Sequence, residues 1–242
     1  MKKVLLPLFF WMLPLWAGAV EGPKLDSVSL DVYDQTSLRR GARLYADYCL
    51  GCHSMKYQRY SRMAHDLGMS ENEVKKDFLH GDGKITDVMK VSLKKSLGEK
   101  WFGVTPPDLS LIVRARGADW VYTYLRSFYQ DPKRSNGDNN QVFKDVAMPN
   151  ALWELQGIRR AVYAADGETV ARLDTVQKGR LTAKEFDSAV ADLVNFMAYV
   201  AEPAQLERSH YGKYVLLYLL ILAVLFYHLK KEYWRDVEGP SE

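Results

Sequence analysis

The only two cysteines in a chain of 242 residues stand three positions apart, in Cys49-Leu50-Gly51-Cys52-His53. This is C-x-x-C-H, the spacing by which a polypeptide attaches a haem covalently. Each thiol reaches one former vinyl group of the porphyrin, and the adjacent imidazole of His53 is aimed at the iron from the proximal side. Covalent attachment then holds the group even where the fold alone would release it. Three alternatives compete. A structural zinc site needs four ligands, and no second cysteine pair is present. A thioredoxin-type dithiol needs a βαβ setting, which these helical, loop-rich surroundings do not offer. A disulfide closing so small a loop would stabilise little. One motif implies one haem c.

An iron that only moves electrons takes a sixth ligand, usually Met or His. The candidate methionines are Met55, Met63, Met69, Met89, Met148 and Met197. Met55 is too near His53 to reach the opposite face, and Met197 lies on the apolar stripe of a late helix, where packing is the simpler role. Met148 is the best candidate. It sits in KDVAMPN after the turn-rich SNGDNN, and Pro149 forces the residue before it into an extended backbone that can project a side chain into a pocket. The competing role for Met148 is a loop methionine filling a core gap. His65, His80, His210 and His228 lack such a setting and read as surface or interfacial residues.

Both ends differ from the middle. Lys2 and Lys3, an apolar run from Val4 to Trp16 and Ala17-Gly18-Ala19 read as a signal peptide over residues 1–19. A retained anchor is the alternative, but the run is short and holds Pro7 and Pro14. Tyr211 to Leu229 rises about 28 Å as a helix, near the thickness of a hydrocarbon core. Lys213 can snorkel to the surface, and Tyr211, Tyr214, Tyr227, Tyr233 and Trp234 supply interfacial aromatics. Lys230, Lys231 and Arg235 follow the span. Export of the N-terminus places residues 20–210 outside and residues 230–242 in the cytoplasm. With 33 Lys+Arg against 30 Asp+Glu, the net charge of +3 is too small for the basic stripe of a nucleic-acid binder.

Within residues 20–210, Leu38, Gly41, Ala42, Tyr45 and Tyr48 recur at helical spacing, with Thr36 or Ser37 available as an N-cap. Thr182-Ala183-Lys184-Glu185 has the pattern of a capping box, and Phe186, Val190, Leu193, Val194 and Met197 then form one apolar face. Small Gly41 and Ala42 allow these two helices to cross closely, as the first and last helices of a class I cytochrome c do. Asp119 to Tyr129 reads as a further helix. The polar stretches from Met55 to Pro107 and from Gly167 to Gly179 read as loops wrapping the haem edge or as inserts at an interface. The fold expected is mainly α, a class I cytochrome c-like haem domain with long loops and one C-terminal transmembrane helix.

DQTSLRRGARLYADYCLGCHSMKYQRY (residues 34–60), WFGVTPPDLSLIVRARGADWVYTYLRSFY (101–129), Ala147-Met148-Pro149 and the tail KKEYWRDV resemble bacterial cytochrome c1 over nearly the whole mature chain. The resemblance implies a haem c subunit of ubiquinol-cytochrome c reductase at the bacterial inner membrane, its haem domain on the periplasmic side. It implies cytochrome b and a Rieske iron-sulfur protein as companions, with electrons passing from the Rieske protein to a cytochrome c acceptor. It maps the thioether cysteines, proximal His and axial Met onto Cys49, Cys52, His53 and Met148. The Pro-Pro-Asp-Leu-Ser segment containing Pro107 is expected to line the haem, and Arg116 to meet a propionate. The side chains themselves would make and break no substrate bonds. The rival readings are a tethered monohaem cytochrome of another oxidase complex, and a haem enzyme or sensor with an open iron position.

Overall fold

The computed structural model describes residues 24–79, 81–91 and 93–235. The expected signal peptide, His80 and residues 236–242 of the tail lie outside the described residues. Asp34 caps the first helix, rather than Thr36 or Ser37. Its carboxylate accepts from the amides of Thr36 (2.9 Å) and Ser37 (3.1 Å), so α1 runs Gln35–Tyr48. After the haem motif come β1 (Met55–Arg59), α2 (Tyr60–Asp66), α3 (Glu71–Asp77), β2 (Val88–Met89) and α4 (Lys95–Phe102), with β1 and β2 antiparallel. The stretch expected to be loop is therefore a series of short elements. Ser70 starts α3 with its own capping box to Glu73.

Next come α5 (Ile112–Arg116), α6 (Ala118–Arg126), β3 (Phe128–Gln130), β4 (Asp138–Asn140), α7 (Trp153–Gln156), β5 (Gly157–Tyr163), β6 (Val170–Lys178) and α8 (Ala183–Ala201). The helix expected over Asp119–Tyr129 stops at Arg126, because Phe128 to Gln130 pair with β4. The second polar stretch is β6, the outer strand of a four-stranded sheet ordered β4-β3-β5-β6, in which only β3 and β5 run parallel. The fold remains mainly helical.

The core forms where α1 crosses α8. Leu38, Ala42 and Tyr45 of α1 meet Phe186, Val190, Leu193, Val194 and Met197 of α8, all buried. Each such large apolar side chain contributes roughly 1.5–3 kcal/mol on burial. Thr182 and Glu185 start α8 with a reciprocal capping box, Thr182 Oγ1 accepting from the Glu185 amide and Glu185 Oε2 from the Thr182 amide. The last helix, α9 (Gln205–Trp234), is exposed along its length and is long and apolar enough to cross a membrane. It starts before Tyr211, since nothing between Gln205 and His210 interrupts the helical backbone.

Candidate haem site

The haem motif is wound as the last turn of α1 continues past its end. Cys49 donates to the Tyr45 carbonyl (2.9 Å), and the amides of Cys52 and His53 both donate to the Cys49 carbonyl (3.0 and 2.8 Å). This turn brings residues three apart to one side, and both cysteines line a single largely apolar cavity of about 320 Å³. Both thiols are free, Cys49 buried and Cys52 exposed. Burial, with the neighbouring Cys52 adding to it, pushes the Cys49 thiol up to about 12, which disfavours a free, reactive thiolate there. The buried Tyr45 hydroxyl donates to the His53 carbonyl at 2.8 Å and locks the end of the turn.

His53 is buried, and its Nδ1 lies 2.7 Å from the Pro107 carbonyl oxygen. With Nδ1–H donating there, Nε2 carries the free lone pair, the arrangement by which a protein fixes the tautomer and ring orientation of a metal-binding histidine. Burial holds the imidazole below its ordinary value, with the Pro107 hydrogen bond and nearby Asp108 acting in the opposite direction. The Pro107 carbonyl is itself held in place. Asp108 accepts from the amides of Lys56 (3.0 Å) and Ser110 (3.0 Å), Ser110 Oγ accepts from the Tyr57 amide (3.2 Å), and the Leu109 amide donates to the Ser54 carbonyl (2.8 Å). The Pro-Pro-Asp-Leu-Ser segment is thus strapped to the chain immediately after the haem motif.

Met148, half-buried, lines the same cavity. Its loop is hung from the β3–β4 turn by side chains. Asn136 Nδ2 donates to the carbonyls of Val146 (3.1 Å) and Ala147 (3.2 Å), Asn139 Oδ1 accepts from the Asp145 amide (2.8 Å), and Asp138 accepts from the Asn150 amide (2.9 Å). Asp131 in turn accepts from Asn139 Nδ2 at 2.9 Å. Asp145 takes a positive φ of 62°, a left-handed corner at which the loop turns. The SNGDNN segment had signalled only a turn; its asparagines are the scaffold for Met148. Tyr124 of α6 donates its hydroxyl to Met148 Sδ at 3.4 Å. Trp120 stacks on Tyr124, and the exposed Arg116 lies 5.0 Å over the Trp120 ring at the cavity rim.

All the residues singled out in the sequence, Cys49, Cys52, His53, Pro107, Arg116 and Met148, line this one cavity. Met197 lines it too while buried on α8, whereas Met55, Met63, Met69 and Met89 are buried in the core away from it. His65, His210 and His228 are exposed. The donor set suits haem c: two thiols on one turn, an imidazole with one nitrogen already committed, and a thioether on a loop that lines the same cavity. Among the described residues no cluster of three His, Cys, Asp or Glu side chains is placed to hold a metal ion.

The model of the Cytochrome C1 family matches residues 26–237. Cytochrome c1 of Allochromatium vinosum is 45% identical over 98% of this chain and 100% of its own length. The ammonia monooxygenase gamma subunit of Nitrosomonas europaea is 47% identical over 88% of this chain and 89% of its own. Cytochrome c1 of Rhodospirillum rubrum is 27% identical over 85% and 84%. A chain of a hyperthermophilic respiratory complex III aligns over 90% of this chain and 87% of its own, with 17% identity and a TM-score of 0.39, too distant to bear on the fold.

Proposed function

The chain belongs to the cytochrome c1 family, and from that membership we propose that Cys49, Cys52, His53 and Met148 hold its haem in a periplasmic domain that takes electrons from a Rieske iron-sulfur protein. The chain carries one covalently bound haem c and transfers electrons within the cytochrome bc1 complex. Cytochrome b is its neighbour in the membrane, and a soluble or tethered cytochrome c takes the electron onward. Residues 1–19 are a signal peptide, residues 20–210 the haem domain, 211–229 the span and 230–242 a cytoplasmic tail.

The observation that carries the site is that His53, committed through Nδ1 to Pro107, and Met148 line the same cavity as both cysteines. Haem c supplies a one-electron ferric/ferrous couple. His53 would hold the iron through Nε2, and Met148 would hold it through its sulfur. A thioether is a weaker donor to ferric iron than imidazole or thiolate, so a Met/His pair raises the potential and suits a carrier downstream of quinol. Cys49 and Cys52 would keep the haem in register with His53. The largely apolar walls would disfavour the more highly charged ferric state. Arg116 sits at the rim, where its guanidinium can pair with a propionate.

Purification of the tagged full-length chain from membranes tests this. A dihaem cytochrome b and an iron-sulfur subunit should come with it, and quinol should reduce its haem. Recovery instead with the subunits of another membrane oxidase would place it elsewhere, a question sharpened by the relative named as an ammonia monooxygenase subunit. An open sixth position in the spectrum would point to a haem enzyme or sensor.

A further inference from the structure

Tyr124 is held from both sides. Trp120, one turn earlier on α6, stacks on its ring with centroids 5.0 Å apart and planes 8° from parallel, and Phe128 meets it edge-on at 5.1 Å. Its main chain is fixed as well, since the Tyr124 carbonyl accepts from Asn140 Nδ2 at 2.8 Å. Asn140 follows Asn139 on β4, and Asn139 together with Asn136 of the preceding turn suspends the Met148 loop. Hydroxyl and sulfur are therefore positioned from one scaffold, and they meet at 3.4 Å. A thioether sulfur has two lone pairs, and a metal needs one of them. The second is free to accept a hydrogen bond, weakly.

We infer that Tyr124 is a positioning residue for the distal ligand: its hydroxyl holds the Met148 sulfur by one lone pair, turns the other toward the haem side and draws electron density from the sulfur. The inference rests on the reading of Met148 as the sixth ligand. An electron-poorer sulfur stabilises ferric iron less than an unbonded one, so the hydroxyl biases the couple toward the ferrous state. A neutral hydrogen bond is a modest interaction, weaker still to sulfur, and only part of it differs between oxidation states. Loss of the hydroxyl should therefore shift the ferrous-to-ferric ratio at fixed poise about threefold, or about 28 mV at 59 mV per tenfold for one electron.

The test is a redox titration of the full-length haem-loaded chain in its purified complex, with the sulfur-to-iron charge-transfer band of the ferric form recorded alongside. Tyr124→Phe keeps the ring, the stack and the volume and removes only the hydroxyl. Its band should persist while its midpoint falls by the threefold equivalent. Tyr122→Phe, on the same helix but with its ring under the Arg126 guanidinium, should leave the midpoint unmoved. An unchanged midpoint in Tyr124→Phe, with the band intact, overturns the inference and leaves Met148 as the ligand. Equal shifts in both variants overturn it too, since helix packing would then explain them. Absence of the band in the unaltered chain removes Met148 and the inference together.

Discussion

Gly41 and Asp192 are in backbone contact: a β-carbon added to the glycine would lie 2.7 Å from the carbonyl carbon of Asp192 and 2.8 Å from Cβ of Phe196. The neighbouring Arg40 grips the Asp192 carboxylate with two hydrogen bonds of 2.5 and 2.9 Å. The crossing of α1 and α8 is thus fixed by an absent side chain and clamped beside it. Gly41→Ala should push the helices apart and destabilise the domain by about 1–3 kcal/mol, read as an earlier unfolding transition of the full-length chain in detergent. An unshifted transition would show that the crossing yields easily.

Cys49→Ala or Cys52→Ala should weaken covalent haem retention, and the double variant should abolish it. A haem stain after denaturing electrophoresis reads this directly. An unstained band from the unaltered chain would sink the c-type assignment of these two residues.

Met148 and Met197 share the cavity but differ in setting, one on a suspended loop and one packed on α8. Met148→Leu should lose the ferric charge-transfer band at near-normal haem content, while Met197→Leu should keep it. Met148→His should lower the potential substantially, because a stronger donor stabilises ferric iron within a range of about 0.8 V across axial ligand types. The reverse pattern between the two leucine variants would identify Met197 as the ligand.

Asp131 links the Met148 loop to acid. The amide of Asn139 holds its carboxyl below the usual range, with burial opposing and the Lys133 amide assisting. A folded-state value below the unfolded one contributes stability that is fully present above the unfolded carboxylate range of about 3.9 and lost as pH falls through the folded value. Below about pH 4 the charge-transfer band should therefore fade reversibly before global unfolding. Asp131→Asn should weaken the band at neutral pH and flatten that acid dependence; an unaltered acid limb would assign the loss to another carboxylate.

A chain ended after Arg208 loses nearly all of α9. It should be exported, carry haem and remain soluble. Retention in the membrane fraction without cytochrome b would contradict a single C-terminal anchor.

Much of this was legible in the sequence because side chains carry the signal. C-x-x-C-H named the cofactor, the apolar faces of α1 and α8 gave the core, and Thr182 with Glu185 marked the start of α8. The miss at Asp34 has a simple cause: an aspartate two or three residues before the amides it caps competes with Thr36 and Ser37 in the sequence, and only geometry chooses. β5 and β6 escaped notice since β5 is mostly half-buried and β6 mostly exposed, so GIRRAVY and VARLDTVQK show no alternation of buried and exposed residues. Pro107 acts toward His53 through a main-chain oxygen, which no residue type advertises. The asparagines at 136, 139 and 140 and Tyr124 act through contacts between segments that sequence spacing alone does not relate.

Only residues 202–204 separate the end of α8 from the start of α9, and three residues reach at most about 10 Å. Even that short reach is taken up: Glu202 pairs with Arg114 of α5 at 3.1 Å and with Arg208 of α9, and Tyr33 donates to the Gln205 carbonyl at 3.4 Å. The helical domain stands on a post and does not swing from a leash, because the link is pinned at both ends. A partner that exchanges electrons with its cavity meets that cavity at a fixed distance from the start of α9.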